Sequence, residues 1–262
     1  MKEINIGFIG FGNMGSAMAK GLLKTNSIAK DKIWACARNF EKLKNTCADL
    51  GIHACMDAYE VVEKSDMIIL AVKLYQLEDV IAPVKEQLKD KIVISIAAGK
   101  SFAALESLLA AGTAHLSTIP NTPISTGNGV IVCEQTHSLN AAQLSLFQAL
   151  FSLCAQLIFV DTALLSVAGT LSGCGPAFVF VMIEALADAG VKYGLDRATA
   201  YALIIAMVKG SGALQLESGQ HPGVLKDAVC SPKGTTIKGI GALEEHGFRT
   251  ALIQAIDAIE GK

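Results

Sequence analysis

The sequence predicts an α/β chain in two parts: an N-terminal doubly wound, mostly parallel sheet over residues 1–160 and an all-helical domain over 161–262. Three observations carry that prediction. Short β-like runs alternate with helical patterns through the first part, and the strand signal stops after Asp161. A glycine fingerprint also joins the first strand to the first helix.

Strands are expected at 4–9, 32–37, 67–71, 92–96, 114–119, 129–133 and 156–160. Each is a short run rich in β-branched or apolar residues, bounded by polar or turn residues. Helical periodicity falls between the early strands, at 14–24, 41–49, 76–87 and 102–110. Strands separated by helices make parallel pairs with the helices covering both faces. Beyond Asp161, helices are expected at 164–167, 177–193, 197–216, 223–229, 237–245 and 248–259, separated by Gly or Pro.

Residues 177–189 are apolar on nearly every helical face, which in a water-soluble chain calls for burial all round. A small helical domain cannot supply that burial alone, so a second subunit is expected against it. The 52% hydrophobic and 18% charged composition agrees. A net charge of −2 without a basic stripe argues against nucleic-acid binding. No uninterrupted apolar run approaches the roughly 18–20 residues that span a bilayer, and the N-terminus enters a strand at once, so a soluble cytoplasmic chain is expected. The seven cysteines show no CxxC spacing and are expected to be buried, reduced thiols. Five scattered histidines give no metal site.

Gly10-Phe11-Gly12-Asn13-Met14-Gly15 places GxGxxG directly after a strand and at the start of a helix. Gly10 allows the tight turn, Gly12 lets backbone approach a pyrophosphate, and Gly15 lets helix and strand pack closely; this is a Rossmann-type dinucleotide fingerprint. The second strand ends in Arg38-Asn39, with Lys42 a turn later, where NAD binders usually place a carboxylate. A guanidinium suits a 2′-phosphate, so NADPH is expected, with NADH the weaker alternative. Three further segments reach the carboxyl ends of strands, where the cofactor of such a sheet lies. They are Ala71-Val72-Lys73, Ala97-Ala98-Gly99 and Pro120-Asn121-Thr122-Pro123, with Asn121 placed to hydrogen-bond a nicotinamide carboxamide.

Ser231-Pro232-Lys233-Gly234-Thr235-Thr236 is a tight turn opening onto a helix. First-turn N–H groups lack intrahelical partners and readily hold a small anion, and a hydroxyl beside them can bond a neighbouring nitrogen or oxygen. The alternative is that Thr235 and Thr236 cap the helix.

Together these landmarks resemble the pyrroline-5-carboxylate reductase family, which carries out the last step of proline synthesis. The resemblance rests on GFIGFGNMG at 7–15, AVK at 71–73, SIAAG at 95–99 and PNTP at 120–123. It continues in SGCGPAFVFVMIEALADAG at 172–190 and HPGVLKDAVCSPKGTTIKGIGALEEHGFR at 221–249. It implies NADPH-dependent hydride transfer to a cyclic imine, an N-terminal NAD(P)-binding domain, and helical domains that interlock into homodimers and often rings. Carried over, it makes Thr236 the catalytic residue whose hydroxyl meets the ring nitrogen. Ser231, Gly234, Thr235 and Thr236 then line the substrate-carboxylate seat. Departures from the family pattern are Leu74 after the AVK lysine, Phe178 after GPA, Asp57-Ala58 in place of a ribose-holding Asn, and Ser117-Thr118 where an Arg is common. A β-hydroxyacid dehydrogenase would need a Lys followed by Asn on a late helix, and no Asn follows Asn140. The remaining alternative is a non-catalytic NADPH-binding redox sensor.

Overall fold

The computed structural model describes residues 4–97 and 99–261; Ala98, in the middle of one small-residue segment, lies outside them. The chain divides into two compact units, Met1–Pro176 and Ala177–Lys262.

The first unit is built on one eight-stranded sheet: β1 (Ile6–Ile9), β2 (Ile33–Cys36), β3 (His53–Ala54), β4 (Met67–Leu70), β5 (Ile92–Ser95), β6 (Ala114–Pro120), β7 (Gly129–Glu134) and β8 (Ala155–Val160). Their order is β3-β2-β1-β4-β5-β6-β7-β8. Every pair is parallel except β6–β7, which a short 3₁₀ turn at Thr122–Thr126 connects; only an antiparallel pair accepts so brief a link. The order reverses beside β1, which puts the carboxyl ends of β1 and β4 at the switch point where such sheets bind ligands.

Successive side chains of the central strands are buried on opposite faces of the sheet. Ile6, Phe8, Met67, Ile69, Ile92 and Ile94 join one apolar cluster, and Ile9, Ile68, Leu70 and Val93 join another. The first cluster receives α1 (Asn13–Lys24), α2 (Phe40–Leu50) and, later in the chain, Phe147, Leu150 and Phe151. The second receives Val61 and Val62 of α3 (Ala58–Lys64), Leu77 and Ile81 of α4 (Leu77–Ile81), and Leu105 of α5 (Phe102–Glu106). Burial on both faces explains why these strands read as continuous apolar runs. It also pushes thiol ionisation up, to about 11 at Cys36, Cys47 and Cys154 and about 12 at Cys55 and Cys133, so these five behave as small hydrophobes.

The structure corrects several expected elements. The single helix at 76–87 is instead a 3₁₀ turn, the short α4 and further 3₁₀ turns, because Pro83 removes a backbone donor inside it. The helix at 102–110 ends at Glu106. Three elements went unread: β3, α3 and α6 (Ala141–Phe151). Both helices begin with a local signal, an Asx residue followed three places later by Glu or Gln. Asp57 accepts from the Glu60 N–H at 2.9 Å, and Asn140 and Gln143 cap each other's backbone at 3.0 and 2.9 Å.

From Thr162 to Lys192 the chain is helical throughout, through α7 (Leu165–Gly169), a π-turn (Thr170–Cys174) and α8 (Gly175–Lys192). The Gly-Cys-Gly-Pro stretch is therefore a widened helical turn; the π register accommodates Pro176, which has no N–H to give. The second unit continues with α9 (Arg197–Ser218), α10 (Pro222–Ala228), α11 (Thr235–Glu245) and α12 (Phe248–Glu260). Within one chain, Ala187 is the buried residue of α8 and Ala200 that of α9, while Val181 is 66% and Leu216 75% exposed. The expected burial all round is not met by a single copy.

The membrane expectation also needs correcting. Thr162–Lys192 and Arg197–Ser218 are long and apolar enough to cross a bilayer by length and composition, with mean hydropathies of 1.7 and 1.3. Scattered Gly, Ser and single charges break every uninterrupted run, yet they leave the average high.

Gly21 on α1 would place a Cβ only 2.3 Å from the Ile124 carbonyl oxygen. Gly21→Ala is expected to lose about 2 kcal/mol net, because the backbone displacement outweighs the gain in helix propensity. The thermal midpoint at fixed protein concentration measures this; an unchanged or raised midpoint contradicts the contact.

Candidate active site

The glycine turn is set by contacts no side chain would permit. Gly10 has φ +91, donates its N–H to the Cys36 carbonyl at 3.0 Å, and would place a Cβ 2.7 Å from both the Ala71 oxygen and Val72 Cγ1. A Cβ on Gly15 would lie 2.9 Å from the Gly10 oxygen and 3.4 Å from Ala71 Cβ. Gly10, Gly15, Ala71 and Val72 thus converge where β1, α1 and the end of β4 meet. Gly12 differs: it is the N-cap of α1, offers no side-chain cap, and a Cβ there would meet nothing within 4 Å. Open space over an uncapped helix start with no acidic residue in its first turn fits a dinucleotide pyrophosphate. Asn13, Met14 and Gly15 form that first turn.

At the end of β2, Arg38 is exposed and, among the described residues, has no ion-pair partner. Asn39 caps α2 by accepting the Lys42 N–H at 2.9 Å, so its oxygen already has a structural task. Lys73 is exposed after β4, its N–H donating to Gln76 Oε1 at 3.3 Å. Ala97 is buried after β5, its N–H donating to Ser95 Oγ at 3.3 Å.

Asn121 is more committed than its sequence context suggested. It is buried; its N–H donates to the Val130 carbonyl at 3.1 Å, and its Oδ1 accepts the Val130 N–H at 2.8 Å. Its Nδ2 donates to the Ser172 carbonyl at 3.0 Å, within the π-turn. The amide therefore bolts the Pro120–Pro123 loop to β7 and to the π-turn, leaving one N–H for anything else.

In the second unit, the Gly234 N–H closes a turn on the Ser231 carbonyl at 2.9 Å. Pro232 holds its second position and Lys233 its third, with φ +61. A type II turn needs positive φ there, and a lysine adopts it only at a cost on the order of 1 kcal/mol. Such strain gathers at functional sites, and sequence reading had no signal for it. A Cβ on Gly234 would lie 2.3 Å from Ser231 Oγ and 3.0 Å from the Ser231 carbonyl oxygen, so the turn leaves little room at this position. Gly234 is the N-cap of α11 without a side-chain cap, and the helix starts at Thr235, two residues before expectation. Among the described residues, neither the Thr235 nor the Thr236 hydroxyl has a hydrogen-bond partner. Both are exposed beside free first-turn N–H groups, so the capping alternative does not hold.

Comparison with known proteins decides the family. Residues 162–262 match the family model for pyrroline-5-carboxylate reductase dimerisation, and residues 5–99 match that for NADP oxidoreductase, coenzyme F420-dependent. A pyrroline-5-carboxylate reductase of Treponema pallidum is 47% identical over 259 residues, covering 97% of this chain and 98% of its own. The chain belongs to the pyrroline-5-carboxylate reductase family. The Escherichia coli reductase is 36% identical, covering 97% of this chain and 95% of its own. The crystal structure of the Plasmodium falciparum reductase with NADP bound superposes with a TM-score of 0.88 at 31% identity, covering 99% of this chain and 96% of its own. Homo-oligomerisation through a dimerisation domain accounts for the apolar side chains that one copy leaves exposed.

Asn121→Asp removes the donor to Ser172 and sets a carboxylate against its carbonyl oxygen. A loss of about 2–3 kcal/mol is expected, read from urea unfolding; a variant as stable as the parent would mean that this bond holds nothing.

Proposed function

We propose that this chain is an NADPH-dependent pyrroline-5-carboxylate reductase that reduces the cyclic imine to L-proline, with NADH the weaker cofactor. One observation carries the reading: the uncapped start of α11, with two free threonine hydroxyls beside a strained turn. Family membership and the open glycine turn of α1 support it.

The division of labour follows from chemistry. The α11 first-turn N–H groups, with Ser231, Gly234 and Thr235 around them, hold the substrate carboxylate through backbone donors and the helix's positive end. The Thr236 hydroxyl fixes the ring nitrogen and polarises the C=N bond. The imine nitrogen is basic enough to bring its own proton, so no strong acid is needed. Bound NADPH supplies the hydride. In the first unit, the N–H groups of Gly12, Asn13, Met14 and Gly15 seat the pyrophosphate. Arg38 and Asn39 face the 2′-phosphate end, and Ala71, Val72, Lys73, Ala97 and Asn121 form the rim. Holding reactants aligned is worth at most about 7–11 kcal/mol of barrier. We further propose a homodimer through the helical unit, assembling further into a ring, in the cytoplasm; the dimerisation-domain match supports the pairing.

Thr236→Ala is expected to lower kcat/KM about 100-fold while NADPH Kd stays within about twofold; full turnover in that variant rejects the assigned role. Arg38→Ala is expected to weaken NADPH about tenfold and NADH far less. Equal losses for the two cofactors remove the 2′-phosphate argument.

A further inference from the structure

Beneath the cofactor rim, three neighbouring strands carry a row of polar side chains in the interior. Ser95 on β5 is in register with Ser117 on β6, and the pairing of Thr118 with Cys133 continues to set Ser117 opposite Glu134 on β7. Each is only 1% exposed. A carboxylate in a core costs stability unless its oxygens are well bonded, so what Glu134 holds is informative. Its Oε2 accepts the N–H of Phe102, the first residue of α5, and its Oε1 accepts the Thr162 hydroxyl at 2.6 Å. Ser95 Oγ, at the other end of the row, accepts the Ala97 N–H. Phe102 is held a second way, its ring stacked on buried His115 at 4.4 Å and 4°.

We propose that Glu134 is a positioning residue for the cofactor site. Ser95 holds Ala97 where β5 ends and Glu134 holds Phe102 where α5 begins, so the two side chains fix both ends of the connection that carries the rim. Through Thr162, Glu134 ties them to the segment that runs into α7. The proposal rests on the reading of Ala97 as a cofactor contact. Glu134 touches no reacting atom; it acts through the backbone it anchors. Glutamine can replace it, since its oxygen still accepts from Phe102 and its amide donates to the Thr162 hydroxyl. Alanine leaves the part-buried Phe102 N–H unpaired.

The test titrates the full chain with NADPH by quenching of its single tryptophan, Trp34 on β2, and adds steady-state kinetics with pyrroline-5-carboxylate. Glu134→Ala is expected to raise NADPH Kd and KM about tenfold, as one unpaired part-buried donor predicts, with kcat and imine KM within about threefold. Glu134→Gln should return Kd to within about threefold of the parent. Unchanged Kd in Glu134→Ala overturns the proposal, as does a loss shared equally by imine KM and not reversed by glutamine. If Glu134→Ala fails to fold, Ser95→Ala removes one acceptor and almost no volume; a Kd rise of about threefold is expected, and an unchanged Kd overturns the proposal. A parent chain that binds no NADPH overturns the cofactor reading as well, whereas a parent that binds beside unaffected variants removes the positioning role alone.

Discussion

The first unit depends on the close approach of β1, α1 and the end of β4 around Gly10 and Gly15. A single methyl at Gly10 would sit 2.7 Å from the Ala71 oxygen, and one at Gly15 2.9 Å from the Gly10 oxygen. With no side chain between them, α1 starts directly above the switch point of the sheet, and its free N–H groups face the space that Gly12 leaves open. The same economy recurs beneath the sheet, where a Cβ on Gly7 would lie 2.5 Å from Ser65 Oγ and from Val61 Cγ1 of α3. Small residues set how near each layer comes, and that spacing decides where an anion can sit.

Helix starts in this chain differ in what meets their first-turn N–H groups. Asn39, Asp57, Asn140, Asp196 and His221 each place a side-chain acceptor on a first-turn N–H, which takes up one of that helix end's free donors. By contrast, α1 and α11 begin on glycines that leave their donors open. Gly247 also starts α12 without a side-chain cap, but in the left-handed conformation and directly after α11 ends. At α11 the open end comes with left-handed Lys233, a strained residue held by the Ser231–Gly234 bond. Local stability is given up at the two helix ends assigned to phosphate and carboxylate.

The helical unit gives up more. Its apolar side chains remain largely in solvent within one copy, and hydropathy alone would let two of its helices pass as membrane spans. Residues 162–262 match the family model for pyrroline-5-carboxylate reductase dimerisation, which supports association between copies as the cover for this surface. Exposed apolar surface of this extent marks an interaction site.

Much of the architecture was legible along the chain. Strand–helix alternation, the glycine fingerprint and the change to pure helix at Asp161 are local signals, and the helices from 177 onward fell within a few residues of expectation. The serine-to-threonine turn at 231–236 was likewise visible as a tight turn opening onto a helix, because its chemistry lies in six consecutive residues. What no local pattern held was the partner of each polar group. Asn121, read as a free amide, is bonded across 51 residues to Ser172, and Glu134 meets Phe102 and Thr162 from 32 and 28 residues away. Pairings at such separations exist only once the strands are in register, so tertiary structure alone decided which side chains remained available to a ligand.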